Sequence, residues 1–223
     1  MLPPEHQTIT MTTKPEDKQP YLKQPLHLAY SALFLFFWVY TGLTTPDLVN
    51  WLTENILTLS LLIFLIAFYN IFRFSHTSYT LLFLFLLLHV YGSQYQYANN
   101  PFGEWLKQEL SLQRNHYDRF VHFGYGLLLA FPLHEVLARG FKVRRYYSYI
   151  LPVEIILSTS ALYELAEWVV ADWIHGGNKK GRVFLGMQGD MWDTQKDMTL
   201  AFVGALITMS VAFIFSRKRQ KHD

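Results

Sequence analysis

Long apolar runs, not alternating apolar and polar positions, set the pattern of this chain. Leu26 to Leu43, Ile56 to Phe72 and Met198 to Phe215 contain no Asp, Glu, Lys or Arg. The stretch from Phe74 to Phe102 also lacks them, with an apolar heart from Tyr79 to Tyr91. Phe120 to Leu137 and Tyr146 to Val170 are comparable runs that carry ionisable residues. A helix needs roughly 20 mostly apolar residues to cross a hydrocarbon core of about 30 Å. A soluble helix keeps one polar face, and a string such as Leu82-Phe83-Leu84-Phe85-Leu86-Leu87-Leu88 has none to turn toward water. The pattern predicts an all-α, polytopic membrane helix bundle of about six transmembrane helices. The expected spans are about 26–43, 56–72, 75–92, 118–137, 146–170 and 197–216. The third has a short apolar core and could instead be re-entrant.

The remaining segments read as tails and loops. Residues 1–25 are rich in Pro, Thr and Lys and lack the apolar core of a signal peptide, so a disordered tail is expected. Residues 217–223 form a basic tail, and 26–216 a single transmembrane domain in contact with the lipid bilayer. Twelve of the 19 Lys and Arg flank the ends that share a side with the termini. Seven fall opposite: Lys107, Arg114, Arg119, Lys179, Lys180, Arg182 and Lys196. The positive-inside rule then places both termini in the cytoplasm. The loops Gly92 to Tyr117 and Asp172 to Lys196 would lie outside it. With no cysteine there is no disulfide or thiolate chemistry. A net charge of +2 is too small to argue for a nucleic-acid partner.

Charges inside or beside a span are expensive and mark either a site or a structural ion pair. Here they gather at the outward ends of the last three spans. Asp190, Asp193 and Asp197 are spaced i, i+3, i+7, within about 60° of one another on a helix. Three such carboxylates repel one another unless a cation, a proton or an Arg sits among them; a solvated helix start is the plainer alternative. Asn115, Asp118 and His122 repeat the spacing, with Arg119 beside them, and Asp118 and His122 at i, i+4 suit shared metal ligation. Glu164 and Glu167 share a face near the end of the fifth span, with Asp172 beyond; paired with Arg114 or Arg119 they would be merely structural. Asp118, Arg119, His122, Glu164 and Glu167 are candidate catalytic residues. Asp190, Asp193, Asp197 and His122 are candidate ligands for a divalent metal. Carboxylates outnumber cations six to one in this set, which also suits a proton relay or a general acid and base.

Other features have simpler readings. Glu154 sits toward the end of its span that carries Arg144 and Arg145, as a structural charge near the interface. Trp168, Trp173 and Trp192 read as interfacial anchors. His89 and Tyr91 either line the same site or belong to an aromatic belt. Pro101 to Leu110 places Phe102, Trp105, Leu106 and Leu110 as a short interfacial helix.

These polar words carry a resemblance. Tyr95-Gln96-Tyr97-Ala98, Arg114 to Arg119 with His122-Phe123, Ala161 to Leu165 with Glu167-Trp168, and Gly186 to Gln195 with Asp197-Met198 resemble the YjdF-like family of small bacterial inner-membrane proteins. The resemblance implies a multi-pass inner-membrane protein and brings no specific activity. A fainter one is to VanZ-like membrane proteins, some associated with glycopeptide resistance. Asp118-Arg119, His122-Phe123, Glu164, Asp193 and Asp197 echo that pattern in order, with Arg119 and Asp197 where it usually has Lys and Asn. Gly189, Asp193 and Asp197 also resemble the tail of the CDP-alcohol phosphotransferase motif, whose head is absent. Three functions stay open: an envelope enzyme acting on a lipid-linked or phosphate-bearing substrate, with Arg119 holding an anionic group; a cation- or proton-coupled transporter; and a scaffold whose polar cluster only locks helices together.

Overall fold

The computed structural model describes residues 20–174, 176 and 187–219. Most of the two expected tails (1–19 and 220–223) lies outside the described residues, as do Gly186 and the loop cations Lys179, Lys180 and Arg182. The chain is an all-α polytopic membrane bundle. Its helices are α1 (Pro25–Thr44), α2 (Leu48–Phe68), α3 (His76–Gln94), α4 (Pro101–Glu109), α5 (Tyr117–Glu135), α6 (Arg145–Val169) and α7 (Asp193–Arg219). A 3-10 turn, Tyr21–Lys23, precedes α1, and π turns extend α5 over Val136–Gly140 and α6 over Val170–Ile174. Among the described residues, α1, α2, α5, α6 and α7 are long and apolar enough to cross a membrane. The sixth long helix, α3, is more polar but runs the height of the bundle. Near its start Ser75 N donates to Glu135 at 2.9 Å, and at its end Gln94 Nε2 donates to Thr44 Oγ1 at 2.7 Å.

The bundle wears its apolar side chains outward, as lipid requires: Leu33, Phe36, Val39, Ile63, Ile66 and Ile214 are all exposed. Its interior mixes small and polar residues with apolar ones such as Leu86, Val90 and Ile156. With lipid as apolar as any side chain, helices associate through close packing and hydrogen bonds, not hydrophobic burial. The centre is α5, which packs on α3, α6 and α7. Its seam with α7 is nearly backbone on backbone: a Cβ at Gly126 would overlap the Ala201 carbonyl, and one at Gly204 the Phe123 carbonyl. Ala201 and Ala205 are fully buried there, and Thr208 Oγ1 donates to the Leu127 carbonyl at 2.6 Å.

Helix α2 begins two turns before the apolar run that announces it. The Asp47 side chain accepts the Asn50 N–H at 3.0 Å and caps it, so Asn50, Trp51, Glu54 and Asn55 enter the helix and are buried. Asn55 Oδ1 accepts from Trp38 Nε1 at 2.7 Å, and its Nδ2 donates to Ser93 Oγ at 3.0 Å, tying α2 to α1 and α3. Glu154, expected near an interface, lies exposed on the outer face of α6. At the end of the bundle holding the termini, buried Glu135 accepts from Ser75, Ser78 and Arg139 and joins α5 to the start of α3.

Candidate functional site

The opposite end is organised around the start of α5. Just before that helix the Asn115 side chain accepts the Tyr117 N–H at 3.0 Å. Its own N–H donates to Gln188 Oε1 and its carbonyl accepts from Gln188 Nε2, both at 2.9 Å. Arg114 donates to the Met187 carbonyl at 3.1 Å. These bonds clamp the segment before α7 onto α5. The connection from α3 is fixed too: Asn115 Nδ2 donates to the Asn100 carbonyl at 2.9 Å, and the Asn100 side chain caps α4.

Two arginines then meet two aspartates. Arg114 pairs directly with Asp193, and both are buried. Arg119 Nη2 lies 2.5 Å from Asp190 Oδ2 and 3.2 Å from Asp193 Oδ1. Lys196 Nζ completes the group, 2.6 Å from Asp190. The bond from Lys196, then the Trp192 N–H and Arg119, hold the Asp190 carboxyl well below the usual carboxylate range. Arg119 Nη1 also donates to His116 Nδ1 at 3.0 Å. Burial first, and then the charges of Arg119 and Arg114, push the His116 imidazole below its ordinary value and keep it neutral. Arg119, expected to face an anionic ligand, is thus engaged with the protein's own aspartates.

Deeper in the bundle the carboxylates outnumber their partners. Asp118, His122 and Asp197 each offer a ligand atom within 4.8 Å of the others. His122 Nε2 lies 3.7 Å from Asp118 Oδ1 and 3.3 Å from Glu164 Oε1. Its Nδ1 is 3.5 Å from Ser160 Oγ. Asp197 is 2% exposed, and its Oδ1 has no hydrogen-bond partner. Arg119 Nε stands 3.9 Å from that oxygen and makes no hydrogen bond of its own. The i, i+3, i+7 stripe of aspartates is therefore divided. Asp190 and Asp193 go to the arginines, while Asp197, one turn further into the bundle, turns toward Asp118 and His122. An imidazole with several carboxylates from three helices is a donor set suited to a divalent ion of the zinc or manganese kind.

Asp118 and His122 also form one wall of a cavity of about 610 Å³ between α2, α3, α5 and α6. Glu54, His89, Tyr97, Tyr163 and Glu167 line the same space. Tyr163 Oη donates to Glu54 Oε2 at 3.1 Å, bridging α6 to α2. Tyr97 Oη donates to His89 Nδ1 at 2.8 Å, and His89 Nε2 faces the Glu54 carbonyl at 3.4 Å. A neutral His89 uses both ring nitrogens this way. Tyr97 reaches it because Gln96 and Tyr97 both take left-handed backbone (φ 53° and 49°) and Gly92 leaves room: a Cβ at Gly92 would overlap the Tyr97 ring. Burial, then the nearby Glu54 and Asp118 charges, raise the Tyr97 hydroxyl well above its ordinary value, so it stays a donor.

The residues expected at the site all lie at this end: Asp118, Arg119 and His122 on α5, Glu164 and Glu167 on α6, Asp193 and Asp197 on α7, with Asp190 just before it. Sequence reasoning missed Glu54, which sits in the last polar word before an apolar run. Pro46-Asp47, a helix-start signal, could have extended α2 back to include it.

Six long helices around buried carboxylates and imidazoles, with apolar side chains outside, define a multi-pass membrane protein with an acidic, His-containing cluster. The chain belongs to the family described as Predicted membrane protein (DUF2238), whose model matches residues 26–218. It is 39% identical over 188 residues to the Inner membrane protein YjdF of Escherichia coli (strain K12), covering 83% of this chain and 88% of that protein. The inner membrane is accordingly its place, and the YjdF-like resemblance carried by the polar words holds. No solved structure matches the chain.

Proposed function

We propose that this protein is a metal-binding enzyme of the inner membrane, acting on a lipid-linked substrate at the outer leaflet. In this reading Asp118, His122 and Asp197 hold a divalent cation, with Glu164 beside them. The observation that carries it is Asp197 Oδ1: a buried, unpartnered carboxylate oxygen pointing into a space bounded by an imidazole and a second carboxylate. A buried carboxylate oxygen without a hydrogen bond is costly, and a cation relieves that cost. A bound ion would supply a Lewis acid and an activated water. Glu164 and Glu167 would move protons, while Arg114 and Arg119 position the aspartates. The long helices α1, α2, α3, α5, α6 and α7 would make six crossings, with both termini cytoplasmic and α4 lying in the interface, Phe102 and Trp105 turned outward.

An enzyme fits better than a carrier. The cluster straddles α5 and α7, whose seam is fixed by Gly126, Gly204 and the arginine–aspartate pairs, leaving little freedom for alternating access. The test is metal analysis of purified protein beside Asp197→Asn, which keeps shape and removes charge. The expected result is a near-stoichiometric divalent metal, with affinity lowered at least tenfold in a variant of unchanged helical content. Equal trace metal in both proteins would leave the cluster a structural polar network.

A further inference from the structure

The cavity beside the cluster has a feature that the metal centre does not use: it opens sideways. Ile56, Leu57 and Leu162 line it, yet they are 62%, 50% and 63% exposed on the outer surface of the bundle. A residue can do both only at a mouth. Helix α2 packs on α1 and α3, whereas α6 packs on α5 and α7. The mouth therefore lies between α2 and α6, on a surface whose apolar side chains face lipid. A molecule already in the membrane reaches the cavity without passing through water.

The lining settles what kind of head group suits it. Leu61, Phe85, Val121 and Leu129 give the cavity apolar walls. The acids and imidazoles of the lining are Glu54, His89, Asp118, His122 and Glu167, and no Lys or Arg is in it. His89 spends both ring nitrogens on the Tyr97 hydroxyl and the Glu54 carbonyl. Arg114 and Arg119 lie outside the lining and are bonded to Asp190 and Asp193. Even with a divalent ion bound, Asp118, Glu164 and Asp197 would leave the cluster one charge negative. A phosphate head would meet a wall of carboxylates with no Lys or Arg to receive it, at a depth where charge repulsion is weakly screened. An ammonium head finds complementary charge in Glu54 and Glu167 and aromatic faces in Tyr97 and Tyr163.

We propose that this cavity binds a membrane amphiphile whose only charge is positive, its amine between Glu54 and Glu167 and its tail leaving between α2 and α6. The inference goes beyond the metal centre, and the two fail separately: Asp197 does not line the cavity, and Glu54 and Glu167 are not among the clustered ligand atoms.

The test is photo-crosslinking in proteoliposomes with three diazirine-bearing alkyl probes of equal length: a trimethylammonium, an alcohol and a phosphate monoester. The ammonium probe should label cavity-lining residues of α2 and α6 at least fivefold more than the phosphate probe, and unlabelled dodecyltrimethylammonium should compete. Glu54→Gln/Glu167→Gln should remove that preference. Leu162→Trp, a change on the outer surface that spares the fold, should block capture while Leu33→Trp on α1 does not. Equal labelling by alcohol and ammonium, or stronger labelling by phosphate, would overturn the charge assignment. Labelling confined to outward residues and indifferent to Leu162→Trp would overturn the site itself.

Discussion

Asp193 shows how much a single side chain carries here. Its carboxylate accepts from Arg114 and Arg119 at once and is almost wholly buried. Asp193→Ala would leave those guanidinium groups short of a counter-charge, and breaking a buried pair costs on the order of 3–5 kcal/mol. Thermal unfolding in detergent should show a loss of that size, far above that of Lys107→Ala, whose surface pair with Glu104 is worth about 0–1 kcal/mol. Asp190 behaves differently because its carboxyl is held below the ordinary range. A depressed folded-state value stabilises above the unfolded value, about 3.9, and that contribution fades as pH falls below it. The stability gap between the native protein and Asp190→Asn should therefore be open at pH 7 and narrowed at pH 3. A gap that widened in acid would contradict the Lys196 and Arg119 pairing.

At the scale of elements, the α5–α7 seam should be the least forgiving part of the bundle. Gly126→Leu would drive a side chain into the Ala201 carbonyl, and overpacking a tight interface costs about 1–3 kcal/mol or more. The same substitution at Gly176, with nothing within 4 Å among the described residues but a left-handed φ of +64°, would test backbone strain. Thermal midpoints should fall further for Gly126→Leu. Gly126 and Gly204 stand in the sequence, but whether they face one another is a matter of helix rotation, and lipid-facing and bundle-facing apolar residues look alike. The start of α2 was hidden for a related reason. Its first two turns bury Asn50, Glu54 and Asn55 and expose Leu48, Val49 and Leu52, the reverse of what polarity signals in a soluble helix.

At the scale of the molecule, the proposed topology puts the α3–α5 connection outside and the α5–α6 connection inside. The chain has no cysteine, so single-cysteine variants report without interference. Glu104→Cys should react with an impermeant maleimide in intact cells, and Lys142→Cys only after permeabilisation. The opposite result would invert the orientation and place the cluster at the cytoplasmic leaflet.

The sequence alone determined that this is a membrane bundle, because only uninterrupted apolar runs satisfy both the length and the polarity that a bilayer imposes. It also gathered most of the acids of the last three spans at one end, since charges are costly within a span. Tertiary structure decided how those acids divide. Asp190 and Asp193 are spent on Arg114 and Arg119, while Asp197 joins Asp118 and His122, because rotation and depth of α7 against α5 set which oxygen meets which cation. The cavity, too, was beyond the sequence: Glu54, His89, Tyr97 and Tyr163 are scattered along the chain, and only the packing of α2, α3, α5 and α6 brings them round one space.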